Sequence, residues 1–173
     1  MTAPIKLVVG LGNPGAKYEG TRHNIGRRIV GNLKSAPLNV SFLVTKSYMN
    51  ESGHEVAREV QRNGLSPEQV LVVLDEFQIP LRQIKILKSG SDGGHNGLTS
   101  VLDCLGTQNV PRIRIGIGPL RQGCDPADFV LERFSRSEQR IMEQLTPEFE
   151  NAVTTAIEQG LETAMNKYNN RTL

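Results

Sequence analysis

One imidazole, one carboxylate and several amides recur in this sequence beside the glycine- and proline-rich breaks where a chain turns. Asn13 lies in Gly12-Asn13-Pro14-Gly15, and His23 follows shortly after. Asn50 closes Ser47-Tyr48-Met49-Asn50, Asp75 follows the apolar run Gln69–Leu74, and Asn96 ends Gly93-Gly94-His95-Asn96. If the tertiary structure gathers them, the histidine can draw a proton from water while the carboxylate holds its tautomer and stabilises the imidazolium that forms. Amides suit neutral polar groups and developing oxyanion charge. The chemistry this implies is direct attack by histidine-activated water.

Other chemistries lack their residues. No serine stands in a Gly-x-Ser-x-Gly elbow. Cys104 sits in an apolar helical segment, a packing position rather than a nucleophile's. His23, His54 and His95 are far apart and form no ligand pair at metal spacing, so no metal and no cofactor is expected. Gly10-Leu11-Gly12-Asn13-Pro14-Gly15 matches a dinucleotide loop only with shortened spacing, and Pro14 removes a backbone donor that phosphates would need. Each retained residue also has an ordinary local reading. A histidine or aspartate at an element boundary serves as a cap, and Asn-Pro-Gly is a turn. His54 reads as a solvated helix residue. On residue types alone, the chain is an α/β protein with a hydrolytic inventory and no substrate.

The positioning elements follow from periodicity. Ile5–Leu11 is a short apolar run that reads as a buried strand entering a tight loop. From Thr21 the spacing of Ile25, Ile29, Val30 and Leu33 is helical. A second strand is expected over Val40–Thr45, then a helix over Glu55–Asn63 closed by Gly64. Gln69–Leu74 is the most strand-like run and places Asp75 at its C-terminal end. An edge strand over Gln83–Leu87, a glycine-rich loop over Ser89–Asn96 and a helix near Leu98–Leu105 follow. Arg112–Ile117 alternates basic with apolar residues, as in a half-buried strand with a solvated basic side. The C-terminal third is helical, with Pro147 expected to divide it in two. Strands alternating with helices indicate one domain over residues 1–173, an α/β sandwich around a mixed, mainly parallel sheet flanked by helices.

Composition bounds the rest. The 173 residues are 38% hydrophobic and 22% charged, with a net charge of +2, which permits a local basic patch without demanding one. No apolar run approaches the roughly 18 residues of a membrane span, so no membrane partner is expected. Met1-Thr2-Ala3-Pro4 leads straight into a strand without a signal or transit peptide, and two cysteines suit reduced thiols. The expected setting is the cytoplasm.

Longer segments carry a resemblance. Val8–Gly26 (VVGLGNPGAKYEGTRHNIG), Lys46–Gly53 (KSYMNESG), Val73–Glu76 (VLDE) with Pro80, Gly90–Leu98 (GSDGGHNGL) and Arg112–Gly118 (RIRIGIG) resemble bacterial-type peptidyl-tRNA hydrolases, in order. Phe129–Phe134 (FVLERF) and Ala164–Asn169 (AMNKYN) extend the likeness nearly to the C-terminus. The resemblance implies hydrolysis of the ester between a peptide and its tRNA without a cofactor. His23 would be the general base, Asp75 would hold its imidazole, and Asn13 would sit beside the scissile ester. Asn50 and Asn96 would grip the peptide backbone, with Tyr18 and Tyr48 lining the same crevice. Arg114 matches a position implicated in gripping acceptor-stem phosphate, and Lys88 stands where the family has a second basic contact. Peptidyl-tRNA, bound through acceptor stem and peptide, is thus the implied partner, and a monomer the implied state.

The sequence departs from the family in three places. The paired lysines before the glycine-rich loop are Leu87-Lys88 here, and the usual second aspartate after Asp75 is replaced, the sequence reading Asp75-Glu76-Phe77-Gln78-Ile79-Pro80. Between Leu33 and Ser41 a hairpin's worth of residues is missing. Two rival readings are an RNA-binding protein on the same fold that has lost hydrolysis, and a small-molecule hydrolase. The first leaves Asn13, His23, Asp75 and Asn96 together without a purpose. The second leaves the Tyr-Met-Asn and Gly-Gly-His-Asn motifs unexplained.

Overall fold

Successive residues of a strand face opposite sides of its sheet, and here that alternation sorts the core into two layers. In the computed structural model, which describes residues 2–33, 37 and 39–173, five strands lie in the order β2 (Ser41–Val44), β1 (Leu7–Gly10), β3 (Val70–Pro80), β5 (Arg112–Gly118) and β4 (Ile84–Leu87). All neighbours are parallel except β4, which runs antiparallel to β5 at the edge. Val8, Leu71, Val73, Ile113 and Ile115 face one side of the sheet. They are covered by α1 (Ile25–Asn32), α4 (Pro126–Leu131), α5 (Arg136–Glu158) and α6 (Leu161–Tyr168). Leu7, Val9, Val70, Val72 and Leu74 face the other side, against α2 (Ser52–Arg62) and α3 (Asn96–Leu105). The architecture is the expected α/β sandwich with a mixed, mainly parallel sheet.

Three expectations are corrected. Asp75 does not end its strand, because β3 continues to Pro80. Its pairing with β1 stops at Val73, but β5 is longer and keeps pairing through Glu76 and again at Pro80. Asp75 is therefore held in a ladder on one side and clear of β1 on the other. Pro147 does not divide a helix: α5 runs unbroken through it. A proline inside a helix costs about 3 kcal/mol. Met142, Leu145, Phe149, Ala152, Val153 and Ala156 bury one continuous face across it, and each large apolar side chain contributes about 1.5–3 kcal/mol. The break falls instead at Gly160, whose φ of +90° an L side chain rarely adopts. Third, β5 has no solvated basic side, since Arg112 is fully buried and Arg114 partly so. The glycine-rich loop covers that face. The expected shortening between Leu33 and Ser41 falls in part on residues outside those described. No described helix is long and apolar enough to cross a membrane.

One close approach sets the site. A Cβ on Gly26 would lie 2.1 Å from the Val73 carbonyl oxygen and 2.7 Å from its carbon. Only glycine lets α1 rest directly on β3, which brings the turn before α1 over Asp75. Gly26→Ala must lift α1 against backbone atoms. A loss of about 2–3 kcal/mol is expected, read as a fall in Tm of roughly 5–10 °C by circular dichroism. Unchanged stability would show that this contact is not tight.

Candidate active site

His23 lies in a single 3-10 turn, Arg22–Asn24, that leads into α1. Its Nδ1 stands 2.9 Å from both carboxylate oxygens of Asp75. His95 approaches the same carboxylate from the glycine-rich loop, its Nε2 2.8 Å from Oδ1. The two imidazole rings lie 4.8 Å apart. The hydrogen bonding determines both tautomers. His95 caps α3, its Nδ1 accepting the Leu98 N–H at 3.2 Å, so its proton is on Nε2 and is donated to Asp75. His23 donates through Nδ1, which leaves Nε2 as a lone pair with no partner among the described residues. A neutral imidazole held this way is an acceptor for a proton from water.

The electrostatics agree. Burial works against ionisation of Asp75, but the His23 and His95 imidazoles beside it outweigh that and hold its carboxyl well below the usual carboxylate range. For His23, burial opposes the charged form, while the charge of Asp75 and its hydrogen bond favour it, and the net shift is upward. A base with a raised pKa and a permanently ionised partner suits the task. The same three residues place their ligand atoms within 4.8 Å of one another, a grouping that sequence spacing does not show. To ligate a metal through Nε2, His95 would have to move its proton to Nδ1 and give up the α3 cap.

Asn13 is set with equal care. The Met49 N–H donates to its Oδ1 at 2.8 Å, which fixes the amide orientation and leaves Nδ2 as a donor. Its backbone is riveted to Asn24: the Asn13 N–H donates to Asn24 Oδ1 at 2.8 Å, and Asn24 Nδ2 donates to the Asn13 carbonyl at 2.9 Å. The loop after β1 is thereby tied to the turn that carries His23. A crevice opens beside His23 and Asp75, walled by Glu76, Phe77, Gly94, His95 and Asn96 on one flank and by Asp125–Ala127 and Val130 at α4 on the other. Arg22 keeps the α4 flank in place. Its guanidinium is buried over the Phe129 ring at 4.2 Å and donates to the Phe129 carbonyl, Glu132 and Glu138.

Comparison with known proteins is decisive. The sequence profile described as "Peptidyl-tRNA hydrolase" matches residues 7–42 and 30–173. The chain belongs to the peptidyl-tRNA hydrolase family. The two matched stretches meet over the region read as shorter than in relatives. A peptidyl-tRNA hydrolase of Elusimicrobium minutum is 37% identical, over 95% of this chain and 99% of its own. That of Thermotoga petrophila is 38% identical, over 94% and 96%. The crystal structure of peptidyl-tRNA hydrolase from Acinetobacter baumannii superposes with a TM-score of 0.86 at 30% identity, covering 97% of this chain and 96% of that one. A peptidyl-tRNA hydrolase complexed with N-propanol gives 0.87 at 29% identity, with the same coverage.

The residues that the family resemblance names are not all gathered in the crevice, and Asn13 is not among those that line it. His23, Asp75 and Asn96 wall the crevice. Tyr18, Tyr48 and Asn50 stand outside that wall, on the loops that follow β1 and β2. The Tyr18 and Tyr48 rings meet edge to face at 6.4 Å, Tyr48 is 54% exposed, and Asn50 is exposed in a 3-10 turn. Arg114 donates to Glu76 at 3.0 Å and to the Ser91 carbonyl at 2.8 Å. Lys88 is away from the crevice, ion-paired with Glu162 of α6. Sequence reasoning assigned no role to His95, Asn24 or Arg22. For His95 the signal was its place beside Asn96 in the glycine-rich motif. For Asn24 it was adjacency to His23. Arg22 has no local signal, because its partners are more than a hundred residues away.

Proposed function

We propose that this chain hydrolyses the ester joining a peptide to tRNA, with water deprotonated by His23 as the nucleophile. The observation that carries the reading is the Asp75 carboxylate, which receives Nδ1–H of His23 and leaves Nε2 free beside the crevice. Water adds to the ester carbonyl as its proton passes to Nε2, and the imidazolium is stabilised by Asp75. Collapse of the tetrahedral intermediate releases the carboxylic acid, and the proton on Nε2 goes to the departing ribose oxygen. Asn13 Nδ2 donates to the carbonyl oxygen as its charge grows. Asn96 and Asn50, with Tyr18 and Tyr48, hold the peptide through backbone groups, which lets one site accept any peptide sequence. Arg114 and Lys88 meet acceptor-stem phosphates, contacts that position RNA without reading its sequence. Each must first exchange the carboxylate it now holds. On this reading the enzyme acts as a monomer in the cytoplasm.

The test is hydrolysis of N-acetyl-aminoacyl-tRNA by the purified chain, with free aminoacyl-tRNA alongside. Cleavage confined to the blocked substrate is expected. Binding of tRNA without cleavage would instead identify an RNA-binding protein on a hydrolase fold. The pH profile and the oxyanion donor give two more tests. Because the base must be neutral and its pKa is raised, kcat/KM falls with decreasing pH along a limb centred above the ordinary imidazole value of about 6.5. A limb at or below that value would contradict the Asp75 pairing. Asn13→Asp keeps an acceptor for the Met49 N–H but loses the donor. A fall in kcat of about 100- to 1,000-fold is expected, with the melting temperature nearly unchanged. Full activity would remove Asn13 from the reacting centre.

A further inference from the structure

A fully buried arginine calls for an explanation, because its charge is costly to remove from water unless its donors are hydrogen-bonded. Arg112 has no exposed surface. It donates through Nη1 to the carbonyls of Gly90 at 2.7 Å and Ser91 at 3.1 Å, and through Nη2 to that of Gln108 at 3.3 Å. Arg114, two residues on and on the same face of β5, donates to the Ser91 carbonyl at 2.8 Å and to Glu76 at 3.0 Å. Glu76 is itself oriented by the Gln78 N–H, and it adjoins Asp75 in β3. Gly93, at φ +62°, lies so close that a Cβ would sit 3.0 Å from Arg114 Nη1. The loop thus rests on two guanidinium planes, both fixed to the sheet that holds Asp75. At its far end the loop presents His95 to Asp75 and Asn96 to the crevice.

We propose that Arg112 and Arg114 are positioning residues, a guanidinium clamp that sets His95 and Asn96 against Asp75. This role rests on the reading of His23 and Asp75 as the water-activating pair, and it assigns the arginines a part in the chemical step independent of RNA. Arg112 is out of reach of any phosphate. Arg114 holds the Ser91 carbonyl through Nη2, a bond to the loop that it keeps when Nη1 exchanges Glu76 for a phosphate. Without the clamp the loop carbonyls are unpaired, His95 drifts from Asp75, and its tautomer is no longer dictated.

The experiment compares the full chain with Arg112→Lys and Arg114→Gln in two measurements. In the first, long-range nitrogen–proton spectra of ¹⁵N-histidine-labelled protein read the tautomers. The parent is expected to show His95 wholly as Nε2–H and His23 wholly as Nδ1–H. In the variants His95 becomes a mixture while His23 keeps its form, a selectivity that general loosening of the fold would not produce. In the second, kcat and KM are measured on N-acetyl-aminoacyl-tRNA and on 3′-O-(N-acetyl-aminoacyl)-adenosine, which lacks the acceptor stem. A fall in kcat of roughly 10- to 100-fold on both substrates is expected, with KM for the small ester little changed. If His95 keeps a single tautomer and only the tRNA substrate suffers, the clamp is wrong and Arg114 is a phosphate contact alone. If Arg112→Lys does not fold, Arg114→Gln decides. If the parent cleaves neither substrate, the hydrolase reading fails, while the tautomer spectra still judge the clamp.

Discussion

Asp75→Asn is expected to lower kcat by about three to four orders of magnitude while leaving the fold intact, through a tautomer the site cannot repair. The carboxylate now receives two N–H donors, from Nδ1 of His23 and Nε2 of His95. An asparagine offers one oxygen and one NH2 group. His95 cannot change its proton, because its Nδ1 already accepts the Leu98 N–H. With the amide oxygen turned to His95, the NH2 group faces His23 Nδ1, which stands 2.9 Å from both carboxylate oxygens. His23 must then accept there and carry its proton on Nε2, the atom that should take one from water. The check is kcat on N-acetyl-aminoacyl-tRNA, together with the His23 tautomer from ¹⁵N spectra. An active Asp75→Asn variant with His23 still protonated on Nδ1 would break the argument.

His23→Ala removes the base itself, and a fall in kcat of about 100- to 10,000-fold is expected. The fold should survive. Asp75 keeps the hydrogen bond from His95, and Asn24 still ties the turn to Asn13. The residual rate reports what Asn13 and substrate binding contribute alone. Single-turnover hydrolysis separates this loss from any change in product release. Activity within about threefold of the parent, far short of the loss of a base, would require another base in the crevice, and Asp125, on its α4 flank, would be the first to replace.

Much of this was legible without coordinates, and the parts that were not share one cause. The strands and most helices declare themselves through local periodicity. β2 and β4 fall within a residue of the expected spans, and the amphipathic spacing of Ile25, Ile29 and Val30 does bury one face of α1. His23, Asp75 and Asn96 stand out because polar residues at turns after apolar runs tend to meet at one end of an α/β sheet. Features that depend on a distant partner were not legible. Pro147 signals a break by its own chemistry, yet the buried face around it keeps α5 whole. The extent of β3 past Asp75 is decided by the length of β5 beside it. The alternation in Arg112–Ile117 predicts a solvated basic side, and the loop folded over that side turns it into a buried clamp.

The sequence by itself therefore determined the layer architecture and the family, and it singled out the candidate imidazole and carboxylate. These depend on residue type and on spacing along one segment. Tertiary structure decided that two histidines share one carboxylate, that each has a single tautomer, and that the arginines face inward. Hydrogen bonds between segments far apart in sequence set those properties, and no local pattern encodes the direction in which a buried donor points.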